Sequence, residues 1–175
     1  MRSAWVVLPV TVLTVASAAA ATDQTRFVIS GAFHTTSARV DSNDEECGFR
    51  AKARTLIYQS DALRIGRGPA VARVEYLIPH FHGRGRYDAR ASAPYSRTAV
   101  QVVTGRNATT GVASGFYIAR SGIVVVSQAK NVGRLGRSVS VGGTVHARLR
   151  LQRGTKRLRL DGSWHCRIDA GSNGG

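Results

Sequence analysis

The sequence predicts an all-β protein, a single antiparallel β-sandwich of about eight to ten short strands, with a closed β-barrel as the alternative. Ser138 to Ile168 alternates apolar and polar residues with period two, the mark of strands with one dry face and one wet face. No window carries the 3.6-residue periodicity of an amphipathic helix. Nineteen glycines and four prolines place turn signals at spacings of about 8–12 residues.

Taken in order, the chain opens with Arg2, an apolar run from Ala4 to Val15, and the small-residue tract 16–21. This pattern predicts a secretory signal peptide over residues 1–21, cleaved near Ala20 or Ala21. The run is shorter than the ~20 residues that cross a bilayer as a helix, and no later run approaches that length. A secreted protein with no transmembrane segment in its mature chain is therefore expected. One domain should occupy 22–170, near the usual size of ~100–150 residues, and 171–175 should be a disordered tail.

Residues 26–33 read as a first strand, with a second possible segment at 34–40. Asp41 to Glu46 is an acidic, turn-rich loop and the one negative cluster. The stretch 47–59 reads as a single strand with Cys47, Phe49, Ala51, Ala53, Thr55 and Ile57 on its dry face, opposite Arg50, Lys52 and Arg54. Gly66 to Pro69 is a turn by composition. Residues 71–78 alternate Ala72, Val74, Tyr76 and Ile78 against a second face that is itself partly apolar, and Pro79 marks an edge or bulge. A Gly-rich segment at 80–88 and a connection at 91–97 come next. Strands are then expected at 98–104, 116–119 and 123–126, with a loop at 105–115.

The last thirty residues read as a hairpin. Val141, Gly143, Val145, Ala147, Leu149 and Leu151 share one face with Leu158, Leu160, Gly162, Trp164, Cys166 and Ile168. Gly154-Thr155 suits a two-residue II′ turn, because glycine tolerates the positive φ required there. That turn pairs Leu151 with Leu158, Leu149 with Leu160, Val145 with Trp164 and Gly143 with Cys166, so apolar meets apolar throughout. The opposite face carries Arg148, Arg150, Arg157, Arg159 and Arg167 with His146, His165 and Asp161.

Formal net charge is +15, and arginine supplies 22 of the 25 basic residues. From Arg97 onward thirteen basic residues stand against only Asp161 and Asp169. Charge so unevenly placed attracts an acidic polymer, an acidic protein or an anionic cell surface. The two cysteines, Cys47 and Cys166, both fall on dry faces. In an oxidising compartment such a pair forms one disulfide.

The order Phe81, Gly83, Gly85, Tyr87, then Ser121, Gly122, Val124, Val126, then Gly143 to Leu149 and Gly162 to Cys166 carries a resemblance. It resembles a loose group of small secreted bacterial β-sandwich proteins whose last strand ends in a disulfide cysteine. The likeness covers roughly residues 26–168. It implies secretion, a β-sandwich and a Cys47–Cys166 bridge, and it implies no activity. The density of arginine on the last hairpin departs from it.

That arginine face is the candidate site: Arg148, Arg150, Arg157 and Arg159, extended at the tip by Arg153 and Lys156 and along the face by His146 and Arg167. In the expected register Arg150 lies opposite Arg159, Gln152 opposite Arg157, and Arg148 finds Asp161. Like charges directly opposite repel, and guanidinium groups suit a relieving phosphate or sulfate. Specific nucleic-acid recognition is not expected, since no aromatic residue interleaves with these arginines to stack a base.

His146, Asp161, Ser163 and His165 outline a Ser-His-Asp set, with Ser163 opposite His146. A flat sheet face nevertheless offers neither an oxyanion hole nor a strained nucleophile turn, so no enzyme is expected. The surrounding arginines repel a metal ion, and His80 with His82 supplies only two ligands, so neither metal nor cofactor is expected. Ser127 to Lys130 has Ser-x-x-Lys spacing but follows a strand-like run instead of lying on a helix. Asn107-Ala-Thr is a formal glycosylation sequon. The function expected is non-enzymatic binding of an anionic polymer or surface, with a protein-interaction module or a small hydrolase as alternatives.

Overall fold

The computed structural model describes residues 25–36, 46–50, 53–67, 69–90, 97–106, 113–132 and 138–168. The expected signal peptide, residues 41–45 of the acidic loop, the sequon and the tail lie outside the described residues. All regular structure among the described residues is β. The strands are β1 (Arg26–Gly31), β2 (Thr35–Thr36), β3 (Glu46–Arg50), β4 (Thr55–Gln59), β5 (Leu63–Arg64), β6 (Val71–Ile78), β7 (Gly85–Ala89), β8 (Ala99–Gly105), β9 (Ala113–Lys130), β10 (Val139–Leu151) and β11 (Arg157–Ile168).

They form one antiparallel sheet in the order β2-β1-β11-β10-β9-β8-β6-β4-β3, with β5 beside β6 and β7 beside β9. The all-β antiparallel class read from the sequence is what forms. The ladder joins the strands into a single sheet instead of two, and that sheet does not close, so the barrel alternative does not hold. It folds over on itself until β3, at one end, reaches β11, two strands in from the other. There Cys47 of β3 is bonded to Cys166 of β11, with Cα atoms 6.0 Å apart across a sequence separation of 119.

Aromatic residues fill the fold between these ends. Tyr58 of β4 stacks on Tyr76 of β6 at 4.5 Å, and Trp164 of β11 lies 5.5 Å from the first and 5.0 Å from the second. Phe27 of β1 meets Tyr58 edge-on at 6.1 Å. These rings are buried with Ile29, Leu56, Val74, Val145, Leu149 and Leu160 in one core. Large apolar areas removed from water drive the folding-over. The disulfide then restrains the unfolded chain across a long loop, by roughly 4–5 kcal/mol on chain entropy alone.

Several expectations need correction. The stretch 47–59 is a hairpin, because Arg54 adopts a positive φ of 46° and β3 turns back on β4. Leu56 and Tyr58 therefore point inward, while Ile57 lies on the outer face. The segments 116–119 and 123–126 belong to one 18-residue strand, β9. A side chain holds the ladder together where β4 gives way to β5: the Ser60 N–H donates to the Val74 carbonyl at 2.8 Å, and the Val74 N–H donates to Ser60 Oγ at 2.9 Å.

The last hairpin forms with its faces as expected but two residues out of register. Leu149 pairs with Leu158, Ala147 with Leu160, Val145 with Gly162, Gly143 with Trp164 and Val141 with Cys166. Beyond the Leu149–Leu158 pair large residues thus oppose small ones, Leu160 over Ala147 and Trp164 over Gly143, which fills the core evenly. The tip is a longer loop over 152–156, closed by the Leu151 N–H on the Lys156 carbonyl at 2.9 Å. Gly154 still supplies the positive φ, at 152°. Gly143 has a second reason to be glycine: a Cβ there would lie 1.8 Å from the Val125 carbonyl oxygen of β9.

Candidate anion-binding site

Cross-strand partners share a face, so the observed register maps the outer surface as rows running from β9 through β10 and β11 to β1. Nearest the tip, Ile118, Arg150 and Arg157 form one row. The next holds Ser121, Arg148, Arg159 and Ser30. The third holds Ile123, His146, Asp161 and Val28. Two arginine pairs thus lie directly opposite each other, and Asp161 sits one row away.

A fifth arginine joins them through an irregularity. The β9–β10 register shifts between Arg148 and Leu149, leaving Arg120 and Ser121 together opposite that point. A bulge breaks the in–out alternation, and both residues are exposed where a regular strand would bury one. Arg120, Arg148, Arg150, Arg157 and Arg159 then line one open groove of about 700 Å³, with Ser30, Gly31 and Ser121 at its wall. Among the described residues no carboxylate lines it.

Two of the five guanidinium groups are anchored by their Nε. Arg150 Nε donates to the Gly154 carbonyl at 3.0 Å, which ties it to the hairpin loop. Arg159 Nε donates to Asp161 Oδ2 at 2.7 Å. The hydrogen bond and charge of Asp161 hold Arg159 still more firmly protonated than usual. Each keeps its two terminal amino groups for a ligand, in a fork that suits two oxygens of phosphate or sulfate. Asp161 is partly desolvated, which alone would raise its carboxyl pKa. Hydrogen bonds and charge from Arg159 and His146 outweigh that and hold it below the usual carboxylate range.

Of the residues expected to bind an anion, Arg148, Arg150, Arg157 and Arg159 come together. Arg153 and Lys156 are exposed on the tip loop but do not line the groove. His146 is engaged elsewhere, its Nδ1 2.8 Å from Asp161 Oδ1. Arg167 lies roughly 26 Å along β11 from Arg159 at the rise of an extended strand. The expected Arg148–Asp161 pair is replaced by Arg148 opposite Arg159, a direct consequence of the two-residue slip. Arg120 was missed because Arg120-Ser121-Gly122 looks like a break between strands; two polar residues before a glycine in an apolar run also signal a bulge.

The polar residues that outlined a hydrolase are not assembled as one. Ser163 pairs with Thr144, not His146. A different pair does form, Ser140 Oγ 2.9 Å from His165 Nε2, with the Gln128 amide 3.5 Å from the same Ser140 hydroxyl. His80 sits in a turn at a φ of 52°, and His82 leans on the Tyr87 ring at 4.9 Å. The Tyr87 hydroxyl donates to the Gly83 carbonyl at 2.7 Å and accepts from the His82 N–H, a packing arrangement whose burial pushes the phenol pKa up. Ser127 to Lys130 is strand, at the end of β9. No group of three metal-ligating side chains occurs among the described residues. No protein-family model, curated protein or solved structure matches the chain.

Proposed function

We propose that this chain is a secreted, non-enzymatic β protein that binds a polyanion through the groove between β9, β10 and β11. The observation that carries the reading is five arginines converging on one concavity that, among the described residues, no carboxylate lines. Two like-charged pairs lie opposed there, one of them partly offset by Asp161 on Arg159, and phosphate or sulfate suits the repulsion that remains. Extracytoplasmic residence fits the Cys47–Cys166 disulfide and the absence of a membrane-crossing helix among the described residues. Membership of the secreted β-sandwich group is part of the same reading, supported by the buried cysteine on the last strand.

Retention on immobilised heparin across a salt gradient tests it. Arg150→Glu with Arg157→Glu should elute at markedly lower salt than the native chain. Arg64→Glu with Arg106→Glu removes the same net charge from exposed positions elsewhere, and should shift elution far less. Equal shifts in the two variants would mean that overall charge, not the groove, holds the polymer.

A further inference from the structure

Phe116 is 42 % exposed, the one large apolar side chain so open among the described residues. A single ring in water needs no explanation. This one has company. Val103 of β8 is directly opposite it, and Ile118 lies two residues along the same outer face. Ile118 in turn faces Arg150, which lines the groove. The Phe116 carbonyl accepts the Gln152 N–H at 2.8 Å, so the ring is carried beside the hairpin tip. An apolar strip and a cluster of guanidinium groups therefore meet on one continuous surface.

Resting on the anion-binding reading above, we infer that the partner of this face is a membrane surface bearing anionic phospholipids. The five arginines take headgroup phosphates, and Phe116 with Ile118 and Val103 enters the boundary between headgroups and acyl chains. Charge complementarity and the adjoining strip decide the occupant together. A sulfated polymer would use the arginines and leave the strip in water. A single-stranded nucleic acid would stack on Phe116 but find no use for two aliphatic neighbours. Aromatic rings settle at the headgroup level of a bilayer. Each basic residue held near an anionic leaflet strengthens partitioning roughly fivefold.

The test uses the full chain with phosphatidylcholine vesicles containing increasing fractions of phosphatidylglycerol, and heparin and oligothymidylate in parallel. The native chain should bind the anionic vesicles and not pure phosphatidylcholine. Phe116→Ser should weaken vesicle binding roughly tenfold, from lost apolar burial, while heparin retention stays unchanged. Phe116→Trp should keep vesicle binding, and the emission of the new indole should move to shorter wavelength when vesicles are added. Heparin retention without vesicle binding, or Phe116→Ser binding vesicles as tightly as the native chain, would overturn the membrane inference and leave the groove reading standing. Loss of oligothymidylate binding in Phe116→Ser with vesicle binding intact would overturn it in favour of base stacking. If neither heparin nor vesicles are held, the groove reading falls first and takes this inference with it.

Discussion

Inward from the β10–β11 hairpin, Leu149, Leu158, Leu160, Trp164 and Cys166 are buried; outward from the same strands, Arg148, Arg150, Arg157 and Arg159 stand in water. The inner face is held by packing: each side chain has a shaped space, a disulfide and three clustered rings to answer to. The outer face is held by the backbone it rides on and by a few exposed hydrogen bonds, Arg150 to the Gly154 carbonyl and Arg159 and His146 to Asp161. Its like-charged pairs oppose the ladder that aligns them. Stability should therefore reside on one side of these strands and ligand binding on the other, with little exchange between them.

The largest effect should come from the inner face. Replacing Cys47 and Cys166 together by serine should cost about 2–5 kcal/mol, read as a fall in the denaturant midpoint. The outer arginines should keep their anion affinity wherever the chain remains folded. Loss of binding in a folded double-serine chain would break the separation of the two faces.

Gly143→Ala comes next. Its Cβ would fall 1.8 Å from the Val125 carbonyl oxygen, so β9 and β10 must move apart. A loss of about 1–3 kcal/mol is expected, the range for forced overpacking, checked by urea unfolding. The outer face should show the converse. Arg148→Gln should change stability by less than about 0.5 kcal/mol while weakening heparin retention.

The smallest effect concerns Asp161, whose folded carboxyl titrates below its usual range. The folded chain thus binds fewer protons than the unfolded one in that region. The contribution is whole above the unfolded value, ~3.9 for aspartate, and is lost as pH falls through the depressed folded value. Asp161→Asn should flatten the acid limb of stability measured between about pH 5 and pH 2. An unchanged limb would mean that Arg159 and His146 do not hold this carboxylate in solution.

The same contrast explains what could be read in advance. Which residues of β10 and β11 face inward follows from period two alone, and a slip of two residues leaves that answer untouched. Pairing is different, because it depends on the length of the turn and on how sizes fit across the core. Gly154-Thr155 suggested a two-residue turn; packing Trp164 against Gly143 and Leu160 against Ala147 demands the longer one. Each arginine consequently acquired a new neighbour, and Asp161 went to His146 and Arg159. Arg120 depends on a bulge, a departure from period two that periodicity cannot announce. The meeting of β3 with β11 was legible because Cys47 and Cys166 both fall on dry faces. The folding of one continuous sheet to bring them together was not, since strand order is set by contacts far apart in sequence.

The most direct measurement is a titration of the labelled chain with tripolyphosphate, following the arginine Nε–H resonances by NMR. The account predicts that Arg120, Arg148, Arg150, Arg157 and Arg159 shift together with one affinity, while Arg64, Arg106 and Arg167 stay in place. A uniform drift of all the arginines, or a response in which Arg120 takes no part, would contradict it.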